Sequence, residues 1–268
     1  MASSPRLCFS GQDLEAVEGE EVAISGQEIV SALRDELELD VLLQLGRAHR
    51  KADRPILALA DGTLIRWMLR GLRNRTLEQR LLKRYTGLLA QFRAEGIPLC
   101  SYISLPANNE FVNLLERHRP GRTGDQDTDS FEGISDRILF QRILSPGQRS
   151  AAFKSQSLVL KTYPEGLQTC YFYVHVEAGQ GASEIARIEF PFWMVEAPGA
   201  LDLVHATVVS ECRKGNGYPV ILSEAHEHAA VRAPERSLFY EMIEGVLLKE
   251  GREPTFSRKY LSKERPSL

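Results

Sequence analysis

A chain of 268 residues is long enough for one large α/β domain or two small ones, and at that size most apolar surface is buried on folding. Hydrophobic residues at 43% and charged residues at 26% match ordinary soluble globular proteins, which excludes the disordered and fibrous classes. The net charge of −3 carries no global sign of a nucleic-acid binder, so any such role must come from local charge.

The opening stretch MASSPRLCFSGQDLEA lacks a basic segment followed by an apolar one, and no apolar run approaches the roughly 18 residues of a membrane span. Cys8, Cys100, Cys170 and Cys212 form no CxxC pair, which disfavours a zinc cluster and a disulfide-stapled secreted scaffold. A cytoplasmic protein without membrane contact is expected.

Residues 11–40 are a run of acids in which Arg34 is the single base. Within it Val30, Leu33, Leu37, Val41 and Leu45 recur at helical spacing, predicting an amphipathic helix over 27–50 with Glu38 flanking its apolar stripe. Arg54 to Thr63 then reads as a short buried strand ended by Asp61-Gly62, as strands of an α/β sheet end. A carboxylate there sits where open α/β sheets hold ligands. A turn in which Asp tolerates tight geometry and Gly supplies positive φ accounts for the same dipeptide.

Leu64 to Ala94 has helical periodicity and carries Arg66, Arg70, Arg73, Arg75, Arg80, Lys83, Arg84 and Arg93 against Glu78 alone. Such density would attract phosphates by counterion release, and a solvated helix face explains it equally. Residues 96–104 read as the next strand, closing a β–α–β unit. Residues 119–130 form a surface loop and 134–144 a helix stopped by Ser145-Pro-Gly147. Two strands, 169–176 and 185–190, predict an antiparallel hairpin, followed by a helix over 201–213, a turn at Gly215-Asn-Gly217, a last strand over 218–222 and a helix over 235–248.

Glu224, His226 and His228 form an acid–histidine cluster without the HExxH pattern, open to a transition-metal hydrolase reading or to a surface histidine pair. Tyr171 and Tyr173 alternate with Phe172 and point to one face, a pattern of core residues as much as of a site. No P-loop, GxGxxG or GxSxG is present, which argues against an NTPase, a Rossmann dehydrogenase and a lipase-like hydrolase.

In order and spacing, several segments together resemble the NurA nuclease family, especially its longer bacterial members. They are Arg34-Asp-Glu-Leu-Glu-Leu39, Leu57 to Ile65, Pro98 to Ser104 with Asn113-Leu-Leu115, Ser145 to Ser150 with Phe153, Tyr171-Phe-Tyr173 and Gly217 to His226. The resemblance implies an RNase H-like mixed sheet flanked by helices, in one NurA-like domain over 1–268. It further implies a DNA nuclease dependent on Mn²⁺, or alternatively Mg²⁺, that acts in double-strand-break end resection. Its implied partners are DNA, a HerA-type hexameric translocase and a second copy in a homodimer.

Carried over residue by residue, the metal-binding acids fall on Glu38, with Glu36 as fallback, and on Asp61. The other catalytic positions fall on His226 and on Tyr173, with Tyr171 as the alternative. The DNA track would be Arg66, Arg70, Arg73, Lys83 and Arg84. The chain departs from the family pattern at the first strand, which carries an earlier Asp-Gly-Ser. Before Glu38 nothing fits, since Asp13 sits in Gly11-Gln-Asp-Leu with no apolar strand ahead of it. The domain is therefore expected to be N-terminally incomplete, which keeps open a catalytically impaired DNA-binding or assembly subunit.

Overall fold

The computed structural model describes residues 26–50, 54–67, 75–118, 133–177, 183–230, 233–249 and 251. The predicted loop over 119–130, Asp13, Arg70 and Arg73 lie outside these residues. Two compact units are present, Met1–Glu224 and Ala225–Leu268.

In the first unit the described residues form a mixed sheet with helices on both faces, the expected α/β, RNase H-like, NurA-like class. Its strands are β1 (Ala58–Asp61), β2 (Leu99–Ile103), β3 (Phe153–Lys154), β4 (Thr169–Glu177) and β5 (Ser183–Pro191), in spatial order β1-β2-β5-β4-β3. The β1–β2 pair is parallel and the other three are antiparallel. A parallel pair needs a crossover, and helix α2 (Arg75–Ala94) supplies it.

Helix α1 (Gly26–His49) matches the predicted span, but the predicted stripe is not its buried side. Leu37 and Val41 are 47% and 42% exposed, while Ala32, Leu39 and Leu43 are buried. Gly46 continues that buried side, where an added Cβ would lie 3.2 Å from Ile97. Apolar residues occur all around this helix, so periodicity does not select the face that packs.

Helices α3 (Glu110–His118) and α4 (Asp136–Ile143) lie over one face of the sheet, and α6 (Ala200–Lys214) over the other, after the single turn α5 (Trp193–Glu196). The buried Asp136 accepts from the Phe111 and Val112 N–H groups at 3.0 and 2.8 Å, satisfying donors that the first turn of α3 leaves orphaned. The short elements α3, α5 and β3 have no counterpart among the elements predicted from the sequence.

The expected strand over 218–222 is instead the start of a helix, α7 (Val220–Ala229). Pro219 explains the difference: proline is favoured as a helix begins, and its carbonyl accepts from Leu222 and Ser223 N–H at 3.0 and 3.2 Å. Helix α8 (Ala233–Lys249) belongs to the second unit and covers the predicted C-terminal helix. Among the described residues no helix is long and apolar enough to cross a membrane.

Candidate active site at the carboxyl end of β1

Cross-strand partners share a face, and successive rows alternate. One row is Asp61, Tyr102, Ile188 and Phe172. The next, Ile103, Arg187 and Tyr173, faces the other way. Asp61 therefore shares its face with α6, whose Cys212 Sγ lies 3.8 Å from the Tyr102 hydroxyl.

Asp61 ends β1 with its side chain exposed. Gly62 takes φ +82°, a left-handed conformation that glycine adopts without a Cβ clash, and its N–H donates to the Tyr102 carbonyl at 3.0 Å. The chain is thus turned away from β2 immediately after the carboxylate.

Tyr218 supplies one partner, its hydroxyl donating to Asp61 Oδ1 at 3.2 Å. A tight turn presents it. Gly215 has no room for a Cβ, which would lie 2.0 Å from the Tyr218 carbonyl oxygen, and Asn216 and Gly217 take φ +55° and +104°. The Tyr218 ring meets Tyr102 edge-on at 5.4 Å, and the Tyr102 hydroxyl donates to Glu184 at 3.0 Å. Burial first, then the charge of Asp61, pushes the Tyr218 hydroxyl up to about 12, so at neutral pH it is a proton-bearing donor.

Glu38 reaches the same neighbourhood from α1. Its carboxyl is raised above the usual glutamate range by partial burial and then by Asp35, with a smaller contribution from Asp61; Arg34 and Arg66 pull it back. Glu38 pairs with Arg34 at 3.6 Å. The fallback Glu36 is instead held by Arg84 at 2.6 Å.

The structure does not bring Tyr171 or Tyr173 to Asp61. Both point to the α3/α4 side, where the Tyr173 hydroxyl donates to Asp136 at 2.7 Å and Tyr171 lies under the Arg187 guanidinium at 3.7 Å. Burial raises both phenols. Tyr218 is the tyrosine the sequence reading missed. Its signal was the Gly-Tyr-Pro step within a segment already singled out, hidden by reading that segment as a strand.

His226 is exposed and belongs to the second unit, where its carbonyl accepts from the Ala230 N–H at 3.0 Å. Of the candidate DNA track, Arg66 is only 11% exposed at its side chain and is taken up within the fold, bonded to Asp35 and stacked over Tyr85 at 4.5 Å. Lys83 and Arg84 are exposed on α2.

Among the described residues no group of three or more His, Cys, Asp or Glu side chains is placed to hold a metal ion. Glu38 and Asp61 offer carboxylate oxygens, the donors a hard divalent cation takes, and such an ion often binds through one or two carboxylates with water and substrate phosphate completing its shell. Glu224, His226 and His228 do not form the cluster that a transition-metal hydrolase would need.

No curated protein and no solved structure matches the chain. A family model does, that of the NurA domain, over residues 3–231. The chain therefore belongs to the NurA family, a family of nucleases.

Proposed function

We propose that this chain is one NurA-like domain acting as a metal-dependent DNA nuclease, Mn²⁺ or Mg²⁺ being held by Glu38 and Asp61. The observation that carries the reading is the Asp61 carboxylate at the exposed carboxyl end of β1, oriented by the Tyr218 hydroxyl at 3.2 Å, with the α1 acid Glu38 within its electrostatic reach. Acids so placed repel one another, and a cation relieves that repulsion. When bound, the ion supplies charge neutralisation at the scissile phosphate and a more acidic water.

The remaining steps belong to the chain. Tyr218 donates to Asp61 and fixes the orientation of that carboxylate. Lys83 and Arg84 draw the phosphate backbone towards α2. Family membership supports DNA as substrate. We place the protein in the cytoplasm, as a homodimer working with a HerA-type translocase in end resection.

Cleavage of single-stranded and duplex DNA with added Mn²⁺ tests the reading. Cleavage that Asp61→Ala leaves intact overturns it. A second reading, a DNA-binding or assembly subunit with impaired catalysis, is favoured by one observation: among the described residues no group of three or more His, Cys, Asp or Glu side chains is placed to hold a metal ion. DNA binding without turnover at any Mn²⁺ concentration selects that reading.

A further inference from the structure

The segment after Asp61 is a connection between elements, and such segments are ordinarily mobile and solvated. This one is held at nearly every polar group. Gly62 N–H donates to the Tyr102 carbonyl, Leu64 N–H to Glu189 Oε2 at 2.9 Å, Ile65 N–H to Thr63 Oγ1 at 3.0 Å and Arg66 N–H to the Tyr163 hydroxyl at 3.1 Å. The Leu64 carbonyl accepts from the hydroxyls of Tyr85 and Tyr163, both at 3.1 Å.

Two charged residues anchor this network from different sides. Glu189 lies two residues before the end of β5, 1% exposed, and its Oε2 also accepts from Thr63 Oγ1 at 2.8 Å. Its Oε1 takes the Nε of the fully buried Arg187 at 2.9 Å, and Arg187 reaches on to Glu110 of α3 at 3.1 Å. Burying such a pair is costly, and replacing it with apolar residues is often neutral or stabilising, so stability alone is a weak reason for its presence. Arg66 anchors the other side: it donates to the Thr63 carbonyl at 2.5 Å and to Asp35, which stands one turn before Glu38 on α1.

The same short segment therefore joins the end of the strand that carries Asp61 to the helix that carries Glu38. We infer that Glu189 and Arg66 are positioning residues which, acting through Thr63 to Arg66, fix the separation of the Glu38 and Asp61 carboxylates. The inference rests on the proposed site at those two acids. Outer groups that orient ligating carboxylates typically govern about 10- to 100-fold in metal affinity.

Thr63 is the point to perturb, because Glu189→Gln would leave Arg187 buried against one carboxylate. The full chain and its Thr63→Val, Thr63→Ser, Arg66→Lys and Asp61→Ala variants are titrated with Mn²⁺ alone, and free ion is read from its paramagnetic resonance signal below the melting midpoint of every variant. Expected are loss of the site in Asp61→Ala, about tenfold weaker binding in Thr63→Val, and affinity close to the parent in Thr63→Ser, which keeps the hydroxyl. Arg66→Lys keeps the charge but cannot hold Asp35 and the Thr63 carbonyl together, so it too binds more weakly.

Parent-like binding in Thr63→Val and Arg66→Lys, with binding lost in Asp61→Ala, overturns the positioning role and leaves the site standing. Binding as weak in Thr63→Ser as in Thr63→Val does the same, since the hydroxyl would then be irrelevant. Parent-like binding in Asp61→Ala overturns the site itself, and the positioning role with it.

Discussion

The Tyr218 hydroxyl donates to Asp61 Oδ1 at 3.2 Å from 157 residues further along the chain, so the end of β1 and the turn before α7 form one polar contact. Asp61 draws charge-assisted donation from a phenol that stays protonated at neutral pH. Tyr218→Phe removes that donor with little change in ring packing. A hydrogen bond to a charged group contributes about 1.5–3 kcal/mol, so Mn²⁺-dependent cleavage should fall by about 10- to 100-fold. Single-turnover rates at saturating DNA check this, and a Phe variant as fast as the parent reduces Tyr218 to a packing residue.

Tyr173→Phe should behave in the opposite manner. Its hydroxyl serves Asp136, which also holds two N–H groups of α3 in a fully buried setting. Removing it leaves a buried carboxylate short of one donor, at a cost of about 1–3 kcal/mol. Thermal unfolding should show a lower midpoint, while cleavage well below that midpoint stays near the parent rate. Normal stability with lost cleavage would instead return Tyr173 to the site.

The raised Glu38 carboxyl makes metal binding depend on pH. Burial and Asp35 hold its proton into a range above 4.5, where an ordinary glutamate is already ionised. A cation must displace that proton, so Mn²⁺ affinity should climb as pH rises through this window and level off above it. The metal-free fold responds with the other sign. A raised folded-state value favours the protonated chain, so the contribution of Glu38 to stability is present below 4.5 and is lost as pH rises through the folded value. Mn²⁺ titrations at a series of pH values should show the climb in the parent and a shallower one in Glu38→Gln.

Much of this arrangement is written locally. β1 and the β4–β5 hairpin are short apolar runs closed by Asp-Gly or Gly-rich steps, β2 is a short apolar run followed by Ser104-Leu-Pro106, and α6 ends at Gly215-Asn-Gly217. Other parts depend on partners distant in sequence. The start of α3 is capped by a carboxylate more than 20 residues away, which no local pattern reports. Asp61 was legible because strand ends have a composition, whereas the choice between Tyr173 and Tyr218 rested on which face of the sheet each tyrosine meets. Arg66 reads as a surface cation because charge density over residues 64–94 says nothing about an aspartate on α1.

Lys83 and Arg84 give a graded electrostatic test. Each phosphate neutralised contributes about 0.9 to the logarithmic salt slope of DNA binding. Lys83→Ala should weaken binding across all sequences and lower the slope by about that amount. Arg84 is already paired with Glu36, so Arg84→Ala should lower it by less. Fluorescence anisotropy over a salt series distinguishes the two, and a slope unchanged by Lys83→Ala removes α2 from the DNA path.

The orientation of α1 can be tested by stability alone. The sequence offers two apolar sides, one through Leu37 and Val41 and one through Leu39 and Leu43, and only the second is packed. Leu43 is fully buried in the main core with Leu89, Phe92, Ile97 and Leu99. Leu43→Ala leaves a cavity there, at a cost of about 2–5 kcal/mol. Leu37→Ala removes a side chain 47% exposed and should change stability by no more than about 0.5 kcal/mol. Because Glu38 and Leu37 are neighbours, the same rotation that exposes Leu37 decides where the Glu38 carboxylate points. Equal losses from the two substitutions in denaturant unfolding would mean that α1 is turned differently, and the pairing of Glu38 with Asp61 would fall with it.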